Sequence, residues 1–370
     1  MVKKLTLLVL SYLLVLVLAT LFTNEGGISQ FNAYILLVFV MLLVCLNPWN
    51  KSWNAIIVFA SAIIMFSFGQ PILYVLIDCA LVFFIFSCVD IGCKYTIEPC
   101  LLRFTRNISL TIIIISLLGI LSPALYIQSD DGERYGGLFH AVNFSANVFG
   151  ILGICVWEIA KLSNKSHKFL LFFLVTALVL YMEACGTRSL LFFFPYWLFQ
   201  VYTLYRHTRY GRFLLGLGVL GGVLLIPSLI TFLTTKLRFH EGESSLATRA
   251  LLYYELWTGI EDNYIILPHG AHGAQFLVER FTGHDFYSPH NDFLSYLYDW
   301  GLFFILILWS VFLRLRRAKI INGNMVLILV ALSSSALHNM LFSMYLWIPL
   351  TIIFVINNDT SEKRYRSCCC

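Results

Sequence analysis

The chain has 370 residues, of which 59% are hydrophobic and only 12% are charged, and its formal net charge is +5. Soluble globular domains carry about 25% charged residues, so this composition excludes an ordinary soluble domain. Apolar stretches close to the ~20 residues that cross a bilayer recur along the whole chain. This pattern predicts an all-α polytopic membrane protein.

About twelve apolar segments are candidate transmembrane helices. They are residues 5–22, 31–47, 54–69, 71–93, 107–127, 139–160, 168–185, 189–205, 213–235, 294–313, 323–339 and 341–356. Residues 1–235 therefore form an N-terminal bundle of about nine spans, and residues 294–356 form about three more. Residues 236–293 are one large polar loop between spans 9 and 10, and residues 357–370 are a tail.

The distribution of basic residues predicts the orientation of these spans in the membrane. If the N-terminus is cytoplasmic, 19 of the 25 Lys and Arg residues lie in cytoplasmic connections or at cytoplasmic span ends. This is the positive-inside pattern, and it also places the C-terminal tail in the cytoplasm. The six basic residues on the outer side are Arg134, Arg188, Lys236, Arg238, Arg249 and Arg280.

Three short polar motifs lie on the predicted outer side. The first, Gly186-Thr187-Arg188-Ser189, comes just before an apolar run. A guanidinium at this level could offer its planar fork to phosphate oxygens. Arg188 could equally be an interfacial arginine whose side chain extends to water.

The second and third motifs lie in the polar loop. Residues 248–257 have apolar side chains at helical spacing, so Arg249 and Trp257 are predicted on one helix, which could also be an ordinary amphipathic surface helix. In Ser288-Pro289-His290-Asn291, Pro289 predicts that His290 stands at the start of a helix. A neutral imidazole there suits a general base, although a capping or interfacial role is an equal alternative.

Four acids fall inside predicted spans, namely Asp78, Asp90, Glu158 and Glu183. Asp90 and Glu158 stand near cytoplasmic ends and are expected to reach water. Asp78 stands in mid-span, and the sequence indicates no partner for it. The motif His269-Gly270-Ala271-His272 has neither the spacing nor the accompanying ligands of a metal site.

Taken in order, the motifs make the chain resemble the bacterial O-antigen polymerase and O-antigen ligase superfamily. Its members have about a dozen helices, cytoplasmic termini and one large periplasmic loop before the last three spans. That loop holds an Arg followed by an aromatic residue about eight positions later, as in Arg249 and Trp257. It closes with a His-Asn pair, here His290-Asn291.

Further matches extend the resemblance along the chain. The helix after the His-Asn pair carries an acid and a glycine, matched by Asp299 and Gly301. A Thr-Arg or Ser-Arg pair at the start of an upstream span is matched by Thr187-Arg188. Arg134, within Glu133-Arg134-Tyr135-Gly136-Gly137, matches another short motif of many members. Because Asp299 stands too far along its helix to touch His290, it is expected to serve helix packing.

The resemblance implies an inverting glycosyl transfer from a polyprenyl-pyrophosphate glycan at the periplasmic face of the bacterial inner membrane, without metal or other cofactor. Arg188 and Arg249 would hold the pyrophosphate leaving group, and His290 would take the proton from the acceptor hydroxyl. The expected substrate contacts are Arg134, Asn291, Trp257 and Arg280. The implied partners are the lipid-linked donor, a glycan or lipid A-core acceptor, membrane lipid and a chain-length regulator, with no nucleic acid.

The details of the motifs slightly favour a polymerase of O-antigen or a related surface polysaccharide. Some ligases carry an extra His just before the His-Asn pair, where this chain has Pro289. An O-antigen ligase, which moves lipid-linked polysaccharide to lipid A-core, is the alternative. A multi-span transporter or lipid flippase would explain the number of helices, but not a 58-residue polar loop, Lys236 to Phe293, with these residues.

Overall fold

The computed structural model describes residues 72–94, 97–129, 132–138, 142–163, 167–187, 189–206, 243–262, 268–282, 291–318, 320–321, 325 and 344–357. The predicted spans 5–22, 31–47, 54–69, 213–235 and, apart from one residue, 323–339 lie outside these residues. Arg188 and His290 also lie outside them, and Arg249 is described by its backbone alone.

The described part of the chain is mainly helical. One small β-hairpin is formed by β1 (Tyr126–Ser129) and β2 (Gly132–Tyr135), which pair antiparallel. The α-helices in chain order are α1 (Ile72–Lys94), α2 (Pro99–Gly119), α3 (Val142–Lys161), α4 (Lys168–Cys185), α5 (Phe194–Tyr205), α6 (Glu243–Asp262), α7 (Gly273–Thr282), α8 (Asp292–Trp300), α9 (Leu302–Arg317) and α10 (Met344–Asn357).

Several of these helices are long and apolar enough to cross a membrane. By length and composition, α2, α3 and α4 qualify individually, and α8 and α9 qualify together as a bent pair. The bounds of α4 match the predicted span 168–185, and those of α3 lie close to the predicted 139–160. A multi-pass membrane protein is thus supported, while the count of twelve spans stays a prediction.

The predicted span 107–127 is wrong by eight residues at each end, because the helix runs from Pro99 to Gly119. The hydropathy pattern excluded Arg103, yet this side chain is exposed on the first turns, where a long cation reaches water from a helix end. After Gly119 the apolar run continues, but a 3-10 turn at Pro123–Leu125 leads into the hairpin. Proline has no amide N–H and is poorly tolerated in a helix interior, so apolar sequence here does not mean helix.

The predicted span 294–313 is formed by two helices, α8 and α9, instead of one. The chain bends by 117° between α8 and α9. Gly301 lies at the bend with φ 54° and ψ −136°, a conformation that favours glycine. Hydropathy does not reveal such a bend, because α8 and α9 are both apolar. As a result, the axis of α8 is not continuous with the axis of α9. The first residue of α8 comes directly after His290-Asn291 in the chain.

Contacts of α1 show how it lies against α9. Near the end of α1, Asp90 Oδ1 is 3.0 Å from Arg314 Nη1. Near its start, Asp78 Oδ2 accepts a hydrogen bond from Trp300 Nε1 at 2.9 Å. The two contacts follow the same order along both segments, so α1 and α9 run in the same direction. This agrees with the predicted topology, in which α1 belongs to the fourth span and α9 to the tenth. Successive spans alternate in direction, so the fourth and the tenth cross the membrane in the same direction.

The order of contacts along the chain also shows the relative direction of α3 and α5. Gly153 faces the Trp197 ring, and one turn later Trp157 Nε1 donates to Gln200 Oε1 at 3.0 Å. These two helices therefore also run in the same direction, as predicted for spans that flank a single intervening span.

Glu158 is paired within the protein instead of reaching water. Its side chain is 2% exposed, and Oε1 lies 2.6 Å from Lys161 Nζ and accepts from the Tyr196 hydroxyl at 2.5 Å. The expectation of a solvated acid is wrong because Lys161, one turn further along α3, supplies the opposite charge that a buried carboxylate needs. Asp90 differs from Glu158, because it pairs with Arg314 and still keeps 19% of its side chain exposed.

Close packing between α1 and α10 gives a stability prediction. A Cβ at Gly92 would lie 2.6 Å from Phe354 Cβ, an atom that moves only with its helix. Gly92→Ala should therefore destabilise the solubilised protein, because overpacking costs about 1–3 kcal/mol. This loss exceeds the gain in helix propensity of about 1 kcal/mol at most.

The matched control for this prediction is Gly153→Ala, whose Cβ would lie 3.3 Å from the Trp197 ring and needs only a small adjustment. Thermal unfolding in detergent should give the lower midpoint for Gly92→Ala. Equal midpoints for the two variants would show that α1 and α10 do not approach this closely.

Candidate functional site

The β-hairpin brings Arg134 to the end of α4. Tyr135 anchors the hairpin, since its side chain is buried and its hydroxyl donates to the Ser116 carbonyl at 2.6 Å. Burial raises the pKa of the Tyr135 phenol, so it stays a neutral donor. The neighbouring Arg134 donates from Nε to the Cys185 carbonyl at 3.1 Å and from Nη2 to the Gly186 carbonyl at 2.9 Å. A cation at a helix C-terminus satisfies its last carbonyls and complements its dipole.

The turn that follows α4 is fixed by buried polar side chains. Gly186 ends the helix in the left-handed region, with φ 59°. Thr187 then donates from Oγ1 to Asn143 Oδ1 at 2.8 Å, and its hydroxyl lies 3.0 Å from Ser189 Oγ. Thr187 and Ser189 are both buried. Arg188 stands between them in the chain, so the residues on both sides of it are held in place.

We refer to Arg134, Asn143, Gly186, Thr187 and Ser189 as the helix-end cluster. It joins the predicted Thr187-Arg188 motif to the predicted Arg134 motif, which lies more than fifty residues earlier in the chain. The spacing of these two motifs along the chain does not indicate that they meet. The guanidinium of Arg134 is shown bound to backbone carbonyls, and its expected contact with substrate stays a prediction.

The predicted helix with Arg249 and Trp257 is confirmed as α6, in which Arg249 lies in the second turn. Leu252, Leu256 and Ile260 are buried along one face of α6, and Gly259 lies against Tyr298 of α8.

Trp257 lies outside the buried face of α6. Its indole is exposed, and Nε1 donates to Glu261 Oε1 at 2.6 Å. Arg280 is also exposed, in the last turn of α7. Both side chains are therefore accessible in the structure, as a substrate contact requires, and their roles remain predictions.

Asn291 caps α8. Its Oδ1 accepts from the Leu294 amide at 3.2 Å, and its backbone is extended, as expected for a residue at this position. The expectation that His290 stands at a helix start is thereby supported, because the helix begins two residues later. The capping bond gives Asn291 a structural role beside its expected substrate contact.

A third group of residues was not predicted as a unit. The turn at 268–273 lies on the end of α8, where the His269 amide donates to the Tyr298 carbonyl at 3.2 Å and the Gly270 amide donates to the Asp299 carbonyl at 3.1 Å. The His269 ring stacks on Tyr298 with centroids 3.7 Å apart. Asp299 Oδ1 accepts from the Ala274 amide at 2.6 Å, which confirms its expected packing role.

The same turn also reaches Asp78 of α1. His272 Nε2 lies 3.8 Å from Asp78 Oδ1, beside the bond from Trp300. The sequence signal was Asp78 itself, a lone acid in mid-span, since such a residue almost always has a partner. The partners stand about two hundred residues away, so spacing along the chain did not reveal them.

Comparisons of the chain with protein-family models, with curated proteins and with solved structures find no match.

Proposed function

We propose that this chain is a membrane glycosyltransferase that polymerises polyprenyl-pyrophosphate-linked oligosaccharide repeat units at the periplasmic face of the bacterial inner membrane. The observation that most supports it is the helix-end cluster. Arg134 and the Thr187-Arg188 motif, both singled out by the family resemblance, meet at one helix end. The capped start of α8 directly after His290 is a second supporting observation.

In the proposed reaction, Arg188 and Arg249 bind the pyrophosphate of the donor by charge and bidentate hydrogen bonds. His290 takes the proton from a sugar hydroxyl of the acceptor as that oxygen attacks the anomeric carbon of the donor. The new glycosidic bond forms as the bond between the anomeric carbon and the pyrophosphate oxygen breaks, and the electron pair leaves with polyprenyl pyrophosphate. Attack from the opposite face inverts the anomeric centre.

In the proposed topology the chain has about twelve spans, both termini are in the cytoplasm, and residues 236–293 are in the periplasm. The distribution of basic residues and the parallel pairs α1–α9 and α3–α5 support it.

Single cysteines at Gly242 and Asn322, introduced into a chain whose native cysteines are replaced, should react with an impermeant thiol reagent from opposite faces of the membrane. Gly242→Cys should label from outside in intact cells, whereas Asn322→Cys should label only after the membrane is opened. Labelling of both from one side would contradict the proposed topology.

The glycan profile of a deletion strain separates a polymerase from the alternatives. Loss of a polymerase should leave lipid A-core capped with a single repeat unit. Loss of all capping with retained lipid-linked polymer would instead indicate a ligase. Repeat units that stay at the cytoplasmic face would indicate a flippase, which a flux assay with intact lipid-linked substrate would confirm.

A further inference from the structure

The group around Asp78 connects α1, which coincides with the predicted span 71–93, to the segments that flank the proposed active site. Asp78 is 2% exposed and lies six residues into α1. A carboxylate within a membrane span is costly unless it is paired. Asp78 has two partners from distant parts of the chain, the Trp300 indole at 2.9 Å and the His272 ring at 3.8 Å.

Gln275 determines which ring nitrogen of His272 faces Asp78. Gln275 Nε2 donates to Glu279 Oε1 at 2.9 Å, so its amide oxygen is turned toward His272 and lies 3.1 Å from Nδ1. An amide oxygen only accepts, so Nδ1 carries a hydrogen and Nε2 is directed at the carboxylate. At 3.8 Å this contact is longer than a hydrogen bond, so it is an electrostatic contact between the ring and the carboxyl group.

The backbone at His272 supports a fixed geometry for this contact. His272 has φ 59°, in the left-handed region that is uncommon for residues other than glycine. Such conformations persist where the surrounding structure holds them. Here the surroundings include the bonds of Gly270 and Ala274 to Asp299, on either side of His272.

Both partners of Asp78 control the placement of α8. Trp300 is the last residue of α8, and His272 belongs to the turn that is bonded to the same helix end. The helix has nine residues and so a length of about 13 Å. Its other end begins at the capped Asn291, next to His290. Fixing the Trp300 end on α1 therefore orients the end that begins at Asn291.

We propose that Asp78 is a positioning residue, which fixes α8 and the 268–274 turn on α1 through Trp300 and His272 and thereby orients the start of α8 at Asn291, the residue that follows His290 in the chain. The structural part of this proposal is independent of the reaction. Its consequence for the transfer rate rests on the proposed function.

The test compares Asp78→Asn and Trp300→Phe with Asp90→Asn. The first removes the charge facing His272, and the second removes the indole donor while keeping an aromatic ring. Asp90→Asn is the matched control, because it makes the same change on the same helix and disrupts the ion pair with Arg314 at the other end. Hydrogen exchange of the purified protein is measured on peptides that cover residues 268–282 and 291–300.

We expect exchange in these peptides to be about 10- to 100-fold faster in Asp78→Asn and Trp300→Phe, the range for loss of a hydrogen bond to a charged group. In Asp90→Asn these peptides should exchange as in the parent protein. Parent-like exchange in both test variants, or equal acceleration in Asp90→Asn, would overturn the proposal. If Asp78→Asn does not accumulate in the membrane, Trp300→Phe alone decides.

Kinetics test the consequence for the reaction. Faster exchange should be accompanied by a lower kcat with an unchanged KM for the lipid-linked donor, because the arginines that hold the donor are left intact. Faster exchange with an unchanged kcat would overturn the role of Asp78 in the reaction. A parent protein without transfer activity would instead reject the proposed function, while the exchange result would stand.

Discussion

Replacing His290 with glutamine should lower the rate of glycosyl transfer by about 10²–10⁴-fold, the usual contribution of a positioned general base. Glutamine keeps hydrogen-bonding groups of similar reach but cannot take a proton from the acceptor hydroxyl. Binding of the donor should stay nearly unchanged, because the arginines hold its pyrophosphate. The parent enzyme should also lose rate at mildly acid pH, as the imidazole becomes protonated.

The control for this variant is His284→Gln, which makes the same change six residues earlier in the same segment. It should retain the parent rate and pH profile. If His290→Gln keeps most of the parent rate, His290 serves only to fix the loop, and the general-base role is wrong.

Arg188→Lys and Arg249→Lys should each lower kcat by about 10²–10³-fold, the range seen when one preorganised donor to a developing anion is lost. Lysine keeps the positive charge but lacks the planar fork that binds two phosphate oxygens at once. The loss should therefore appear although the net charge of the site is unchanged. Steady-state kinetics with a lipid-linked donor measure the effect.

Arg238→Lys is the control, since it makes the same exchange elsewhere in the polar segment. It should behave as the parent protein. Membrane insertion of all three variants is checked by detergent extraction and gel filtration. Near-parent kcat for either Arg188→Lys or Arg249→Lys would remove that residue from the pyrophosphate site.

The local pattern of the sequence was sufficient to predict much of the described fold. The bounds of α4, Lys168–Cys185, coincide with those of an apolar run between polar residues. The helix α6 was predicted from the helical spacing of apolar side chains across residues 248–257. The start of α8 was predicted from Pro289, because a proline disfavours a helical conformation at the residue before it. In each case the signal lies within one or two turns of the residues concerned.

Bends and long-range contacts were not predicted. The hydropathy of 294–313 is uniform across Gly301, so the 117° bend has no compositional signature. The end of α2 at Gly119 depends on a hairpin whose Tyr135 anchors it to Ser116. Asp78 meets Trp300 and His272 only because α1 lies beside α9, which no spacing along the chain reveals.

The most direct test of the account uses the purified full-length protein with a synthetic polyprenyl-pyrophosphate-linked repeat unit, in detergent and in excess EDTA. We expect a ladder of lipid-linked oligomers with inverted linkages and released polyprenyl pyrophosphate, and both products should form far more slowly in His290→Gln. A parent protein that leaves the donor intact under these conditions, yet moves it across the bilayer of reconstituted vesicles, would contradict the account.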